Sequence, residues 1–415
     1  MSSTTPPFQD KDPAYGWVMV AVVFVISALA FGTLGSVSVF LKPLSMEFGW
    51  SRGETSLGYS AISLASAIFG ILWGILADRY GTRWFGVIAA FIMAFALYML
   101  SKQNSIAEFY GFYFLFGAFG TSMATTPLYA NVAFWFRRNA GLALGLAAAG
   151  GAFGQALVPY LAGIGVETVG WRQTYLLMAI TYLCIVLPCG FLVRESPGRI
   201  GVTQTSLAEE RSSPLSEIEA VAWISLAVIF CCNCMAVPIV HLVPLLTDDG
   251  HTIEYAARAL MILMLAGCVG RILGGKLCDM IGALPAYMTM SVGQTVSVIW
   301  FPAVEGPAAL YALAIFFGFF YSGVMSCIMV CTRMMVSGRF AGRAMAVTSF
   351  FGWAGMGLGA FMGGYLFDLT GSYPWSYRFA AAAGVVNLIV LSLFFMRVQT
   401  QRGSSGTLAG ETMLG

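Results

Sequence analysis

Charge is what this chain has little of. Asp, Glu, Lys and Arg make up 10% of its 415 residues, where a soluble protein needs about 25% to cover its surface. Apolar residues reach 59% and the mean hydropathy is +0.81. That balance argues against a soluble enzyme, a nucleic-acid-binding protein and a disordered scaffold, and places the chain in a lipid bilayer. Histidine is scarcer still, at two residues, which leaves little for acid–base catalysis. With no acid pair, Ser/His/Asp set or Gly-rich nucleotide loop on a soluble domain, no enzyme is expected. The net charge of +2 points to no acidic partner. Loops lack cysteine, since all nine lie inside apolar stretches, so neither a disulfide framework nor a redox compartment can be read. Cys327 and Cys331 share a helix face, and Cys231, Cys232 and Cys234 crowd around Asn233. No histidine or carboxylate lies near them in sequence, so they read as small packing residues between membrane helices. No metal or other cofactor is expected.

What the chain has in plenty is long apolar runs. A helix needs about 20 apolar residues to cross the hydrocarbon core, and twelve runs approach that length, the first over 16–40 and the last over 376–396. The first run is longer than the roughly 7–15 residues of a signal-peptide core, so it is expected to remain a span. Twelve spans put both termini on one face. Fourteen Lys and Arg fall on the termini's side and six on the other, which predicts cytoplasmic termini. The expected organisation is all-α and integral to the membrane: a cytoplasmic tail over 1–15, a six-helix half over 16–193, a linker over 194–219, a second six-helix half over 220–397 and a tail over 398–415. The compact loops suit a bacterial inner (plasma) membrane, and a functional monomer is expected.

The two halves repeat. A shift of 201 residues sets Gly74, Leu76, Asp78 and Gly81 on Gly275, Leu277, Asp279 and Gly282. It also sets Arg138, Ala140 and Gly141 on Arg339, Ala341 and Gly342, and Gly154, Gly163 and Gly170 on Gly355, Gly364 and Gly371. An offset held across about 100 residues reads as two homologous halves. In the block from Gly74 to Arg83, which includes Arg79, small residues allow close helix approach. Its acid can pair with cations or helix N-termini across the turn.

That block, present in both halves, resembles the signature of the major facilitator superfamily. The resemblance implies alternating access around one substrate site between the halves at mid-membrane. Two further segments resemble monocarboxylate transporters: the entry Asp12-Pro13-Ala14-Tyr15-Gly16-Trp17, and Trp135-Phe136-Arg137-Arg138-Asn139-Ala140-Gly141 leading into a small-residue helix. The family carries a substrate-binding arginine in span 8, which matches Arg271. It commonly has an aspartate four residues earlier, where this chain has Gly267, and often a lysine in span 1, where it has Gly35. Lys42 matches a more external lysine. Both missing groups bear on proton handling in animal members.

Arg271 also stands out by itself. A cation in mid-span costs about 2.5–3.5 kcal/mol on insertion scales, and Asp78, Glu167, Asp279 and Asp368 all lie at or near span ends. An anion from outside the chain fits that vacancy, because a guanidinium grips a carboxylate in a fork. The alternative is that Arg271 snorkels or bonds helix carbonyls. His241, late in span 7, titrates near neutrality when unperturbed and is the candidate proton carrier with Arg271; the alternative is a packing histidine. His251, beside Asp248 and Asp249, reads as solvated surface. Thr125, Thr126, Tyr129, Asn233, Tyr321 and Ser322 are candidate hydroxyl and amide donors, each alternatively glue between helices. Leu29, Phe31, Leu142 and Leu144 are candidates for the apolar wall. The function expected is symport of a proton with a small monocarboxylate such as lactate or pyruvate. The alternative is an organic-anion exchanger like the oxalate and formate antiporters of the same superfamily.

Overall fold

In lipid no water is available to the backbone, so each span satisfies its own N–H and C=O groups by coiling. A computed structural model describes residues 13–136, 140–196 and 215–411, and every regular element among them is helical. In chain order these are α1 (Ala14–Phe48), α2 (Arg52–Tyr80), α3 (Phe85–Lys102), α4 (Ile106–Leu115), α5 (Ser122–Trp135), α6 (Ala140–Val169) and α7 (Trp171–Phe191). There follow α8 (Glu217–Asp248), α9 (Ile253–Ile281), α10 (Ala283–Val298), α11 (Pro307–Met334), α12 (Gly338–Thr370) and α13 (Pro374–Glu411).

These helices make the twelve expected crossings, because α4 and α5 are one span joined by a π-helical segment, Phe116–Thr121. Among the described residues, ten helices are individually long and apolar enough to cross a membrane. The fourth span misses that measure because the π segment divides it. The ninth misses it because α10 has 16 residues, about 24 Å at 1.5 Å per residue. The stretch from 398, expected as a tail, instead continues α13 as helix to Glu411, since extending an existing helix avoids the cost of nucleating one.

The 201-residue repeat reappears as matched contacts. A methyl placed on Gly154 of α6 would collide with the Ala28 carbonyl of α1, and one on Gly355 of α12 would collide with the Ile229 carbonyl of α8. Both residues of the first pair shift by 201 to give the second. The contacts between halves obey the same shift with the halves exchanged. Gly163 of α6 faces Ile253 of α9, and Gly364 of α12 faces Arg52 of α2. A pseudo-two-fold relation therefore governs both the helix pairs and the seam between them. The repeated Gly81 and Gly282 end α2 and α9 with φ of 83° and 91°, a conformation L side chains rarely adopt.

Candidate functional site

Between the halves lies a cavity of about 510 Å³, lined from α1, α2, α5, α6, α8, α9, α11 and α12. Its lining runs from Tyr59 and Ile239 to Met329 and Thr332 near the end of α11 and to Leu144 and Met345 near the starts of α6 and α12. Those helix ends lie on the face where α1 begins, so the cavity opens toward the face of the termini. Near the opposite face the halves are tied together. Lys42 of α1 lies 2.7 Å from Asp248 of α8 and donates to the Thr247 carbonyl at 2.6 Å. Arg52 of α2 lies 3.1 Å from the same Asp248. The Asp368 carboxylate on α12 accepts the Arg52 and Gly53 N–H groups at 2.7 Å each, capping the start of α2.

Arg271 lines the cavity and is half-buried. It sits ten residues before the end of α9, about 15 Å along the helix axis. Its Nε donates to Ser322 Oγ at 3.0 Å. Among the described residues no carboxylate pairs with it. The approach of α9 to α11 that makes this bond possible depends on small residues. A Cβ on Gly267 would stand 3.0 Å from the Ser322 Cβ, and one on Gly274 would stand 2.7 Å from the Gly323 Cα. Gly267 thus gives its side-chain space to Ser322, the partner that aims Arg271. Tyr321 joins the lining and its hydroxyl donates to the Met264 sulfur at 3.1 Å, a weak acceptor. Tyr129 of α5 lines the cavity as well, and both phenols lie within electrostatic reach of the guanidinium.

The remaining candidates divide. Phe31 and Leu144 line the cavity. Leu29 is half-buried and packs into the core, while Leu142 is 58% exposed; neither is on the lining. Thr125 is buried and bonds back to the Thr121 carbonyl at 2.7 Å. Thr126 is exposed beside Gly70. Asn233 is buried and donates to the Ile229 carbonyl of its own helix at 2.9 Å. All three lie off the lining: Thr125 and Asn233 bond back to their own spans, and helical periodicity turns Thr126 outward. His241 is corrected in the same way. It is fully buried between α8 and α12, its Nε2 donates to the Ala360 carbonyl at 2.7 Å, and its ring lies against Tyr373 and Gly363.

His251 stacks on Tyr255 in the loop region, at 4.6 Å between ring centroids. Nearby, burial holds the Asp249 carboxyl above its ordinary range, opposed by the charge of His251. In the repeated turn motifs Gly74 and Gly275 face open space, Arg79 lies over Tyr80, and Asp279 is exposed. At the α2–α3 turn Glu195 accepts N–H bonds from Thr82 and Arg83. Arg138 lies outside the described residues, as do the side chains of Asp78 and Arg339.

Sequence reasoning passed over Tyr59, Gln155, Trp353 and a set of methionines on the lining. Gln155 carries a signal that could have found it, a long polar side chain in mid-span. The methionines carry none, since Met is ordinary in membrane cores.

Residues 23–332 match the profile of the Major Facilitator Superfamily. The chain is 30% identical over 406 residues to monocarboxylate transporter 13 of Bos taurus, covering 93% of this chain and 92% of that protein. It is 29% identical over 222 residues to riboflavin transporter RibJ of Trypanosoma brucei brucei, covering 50% of this chain and 36% of that one. Its fold is similar to an inward-facing, occupied bacterial homologue of the human lysosomal transporter Spinster. There the TM-score is 0.75 at 15% identity, over 94% of this chain and 98% of that one. A mid-membrane cavity between two pseudo-symmetric halves and these similarities lead to one conclusion: the chain belongs to the major facilitator superfamily, within its monocarboxylate transporter-like family, and is a membrane transporter.

Proposed function

We propose that this chain moves an organic monocarboxylate, a class of which lactate and pyruvate are the smallest members, by alternating access, with the substrate carboxylate seated on Arg271. The observation that carries this reading is a mid-span guanidinium on the cavity wall with Nε held by Ser322 at 3.0 Å. Among the described residues its two terminal nitrogens have no hydrogen-bond partner, and they form the fork that grips a carboxylate end-on. Tyr321 and Tyr129 are hydroxyl donors beside it. Among the described residues Arg271 is the one cation on the lining, which supports one carboxylate rather than two. The excess of Lys and Arg on the termini's side supports cytoplasmic termini in an inner or plasma membrane, so that the cavity faces the cytoplasm.

Two coupling modes fit this seat. Symport with a proton needs a carrier near the carboxylate; the sequence offers His241 and Arg271, and with His241 buried against the Ala360 carbonyl the substrate carboxylate on Arg271 is the carrier this mode leaves. Exchange of one anion for another needs no such group. It is supported as the second reading by a specific feature: among the described residues the lining has no acid and no histidine. An empty carrier would also have to reorient with Arg271 unpaired, at about 2.5–3.5 kcal/mol for a cation at that depth, whereas the loaded pair moves nearly neutral. Uptake of labelled pyruvate into proteoliposomes separates the modes. Uptake driven by an inward proton gradient and lost in Arg271→Ala supports symport; uptake that ignores the gradient but needs internal anion supports exchange. No Arg271-dependent uptake of any monocarboxylate overturns the seat.

A further inference from the structure

We infer that the monocarboxylate carried on Arg271 has an aromatic body, an aryl-substituted 2-oxo or alkanoic acid rather than a three-carbon acid; this rests on the carboxylate reading of Arg271 given above. Volume is the first observation. At about 30 Å³ per water, a three-carbon acid displaces about three waters, and the cavity of about 510 Å³ leaves most of its wall untouched by such a solute. The cavity is open at one end, so volume alone does not decide; the chemistry of the wall does.

That wall is made for a ring. Phe31 of α1 and Trp353 of α12 stack across the two halves, with centroids 6.3 Å apart and planes within 10°, and both line the cavity. Ring faces add specific attraction for a third ring beyond buried area. Five methionines, Met235, Met325, Met329, Met345 and Met356, add to the wall, on which Gln155, Thr332, Thr348 and Ser349 are the polar, uncharged members beside the tyrosines. Thioethers are unbranched and polarizable and make favourable contacts at ring edges, so they shape themselves to a flat apolar body.

Two of the hydroxyls near the guanidinium are already engaged, which leaves Tyr129 beside it for a small hydroxy acid. Ser322 Oγ is taken by Arg271 Nε, and the Tyr321 hydroxyl is directed at the Met264 sulfur. One charged anchor with a large apolar and aromatic wall is the usual division of labour in a site for an organic ligand with a sizeable apolar part. Because Phe31 and Trp353 come from opposite halves, an aromatic body lying on them touches both of the parts that move. A three-carbon acid on Arg271 reaches little of that surface.

The test pairs pyruvate with phenylpyruvate, which differ by one phenyl ring. Binding is measured by calorimetry on the full chain in lipid nanodiscs, for the wild type, Arg271→Gln, Trp353→Ala and Trp353→Leu. The expected result is that phenylpyruvate binds at least about tenfold more tightly than pyruvate, about 1.4 kcal/mol. Trp353→Ala should cut that ratio at least about fivefold, and Arg271→Gln should lose both acids. Monodisperse elution and thermal unfolding of each variant serve as the check on folding. If Trp353→Ala binds neither acid, the ratio is read in Trp353→Leu, which fills the wall without a ring; a fall supports the inference and no change overturns it. Equal affinity for the two acids, both lost in Arg271→Gln, overturns the aromatic body and leaves the carboxylate seat standing. Binding of either acid that survives Arg271→Gln, or no binding by the wild type, overturns the seat and the inference with it.

Discussion

Lys42 Nζ stands 2.7 Å from Asp248 Oδ1, joining the end of α1 to the end of α8 across the two halves. Arg52 reaches the same carboxylate from α2 at 3.1 Å, so one acid holds two helices of the other half. The Asp248 side chain is 25% exposed, and an ion pair so placed contributes up to about 1 kcal/mol. Asp248→Asn is therefore expected to shift the population toward opening on this face by about fivefold. In a cysteine-free background, a cysteine at Ser60 reports the change. Ser60 is buried and donates to the Gly357 carbonyl at 2.7 Å, within the seam beneath the ion pairs. Its labelling by a membrane-impermeant maleimide from that face should accelerate in Asp248→Asn; an unchanged rate would show that the ion pairs do not hold the seam.

Ser322 does not need to touch substrate to matter, because it holds Arg271 Nε at 3.0 Å. A hydrogen bond to a charged group is worth about 1.5–3 kcal/mol, so Ser322→Ala should weaken carboxylate binding by about tenfold or more. Ser322→Thr keeps the hydroxyl and should recover most of the loss. Calorimetric titration with pyruvate and phenylpyruvate measures both. Equal losses in Ala and Thr would mean that the site reports volume at this position rather than the bond.

Gly267 lies one turn before Arg271, and its missing side chain leaves room that Ser322 occupies. Gly267→Asp would supply an internal carboxylate at the i−4 position and push against Ser322. The expected outcome is carboxylate binding that weakens at neutral pH, as Arg271 pairs with the new acid, and recovers as pH falls and that acid takes a proton, in a protein that still folds. Gly267→Ala, whose methyl meets the Ser322 Cβ at 3.0 Å, should keep binding with a modest loss of stability. Thermal unfolding in detergent, with and without phenylpyruvate, separates the two effects.

The matched helix contacts give a symmetric stability test. Gly154→Ala and Gly355→Ala each drive a methyl into a backbone carbonyl of the partner helix. Overpacking of this kind costs about 1–3 kcal/mol. Both variants should lower the unfolding temperature, whereas Gly145→Ala, which meets nothing within 4 Å, should not. A drop confined to one of the pair would show that the two halves pack differently in spite of the repeat.

The fold was readable to a large extent from residue order. Apolar runs of spanning length dictate helices, and an offset of 201 between Gly154 and Gly355 predicts paired halves before any contact is seen. Arg271 was readable for a similar reason: a charge in mid-span with no acid at matching depth is an imbalance visible in one dimension. His241, Thr125, Thr126 and Asn233 were not, because a polar residue in a span is equally at home on a cavity wall and against a neighbouring backbone. His241 takes the second role, with Nε2 on the Ala360 carbonyl at 2.7 Å.

By itself the sequence determined that this protein lies in a membrane, crosses it twelve times, repeats its two halves and carries one deep cation. Each of these follows from local composition and spacing, which lipid converts directly into helix. Tertiary structure alone decided which polar groups meet. Helix rotation and tilt, set by glycine contacts at a few positions, put Ser322 under Arg271, turn His241 away from the cavity, and bring Phe31 and Trp353 face to face from opposite ends of the chain. Those rotations depend on packing between spans hundreds of residues apart, and no periodicity within a single span encodes them.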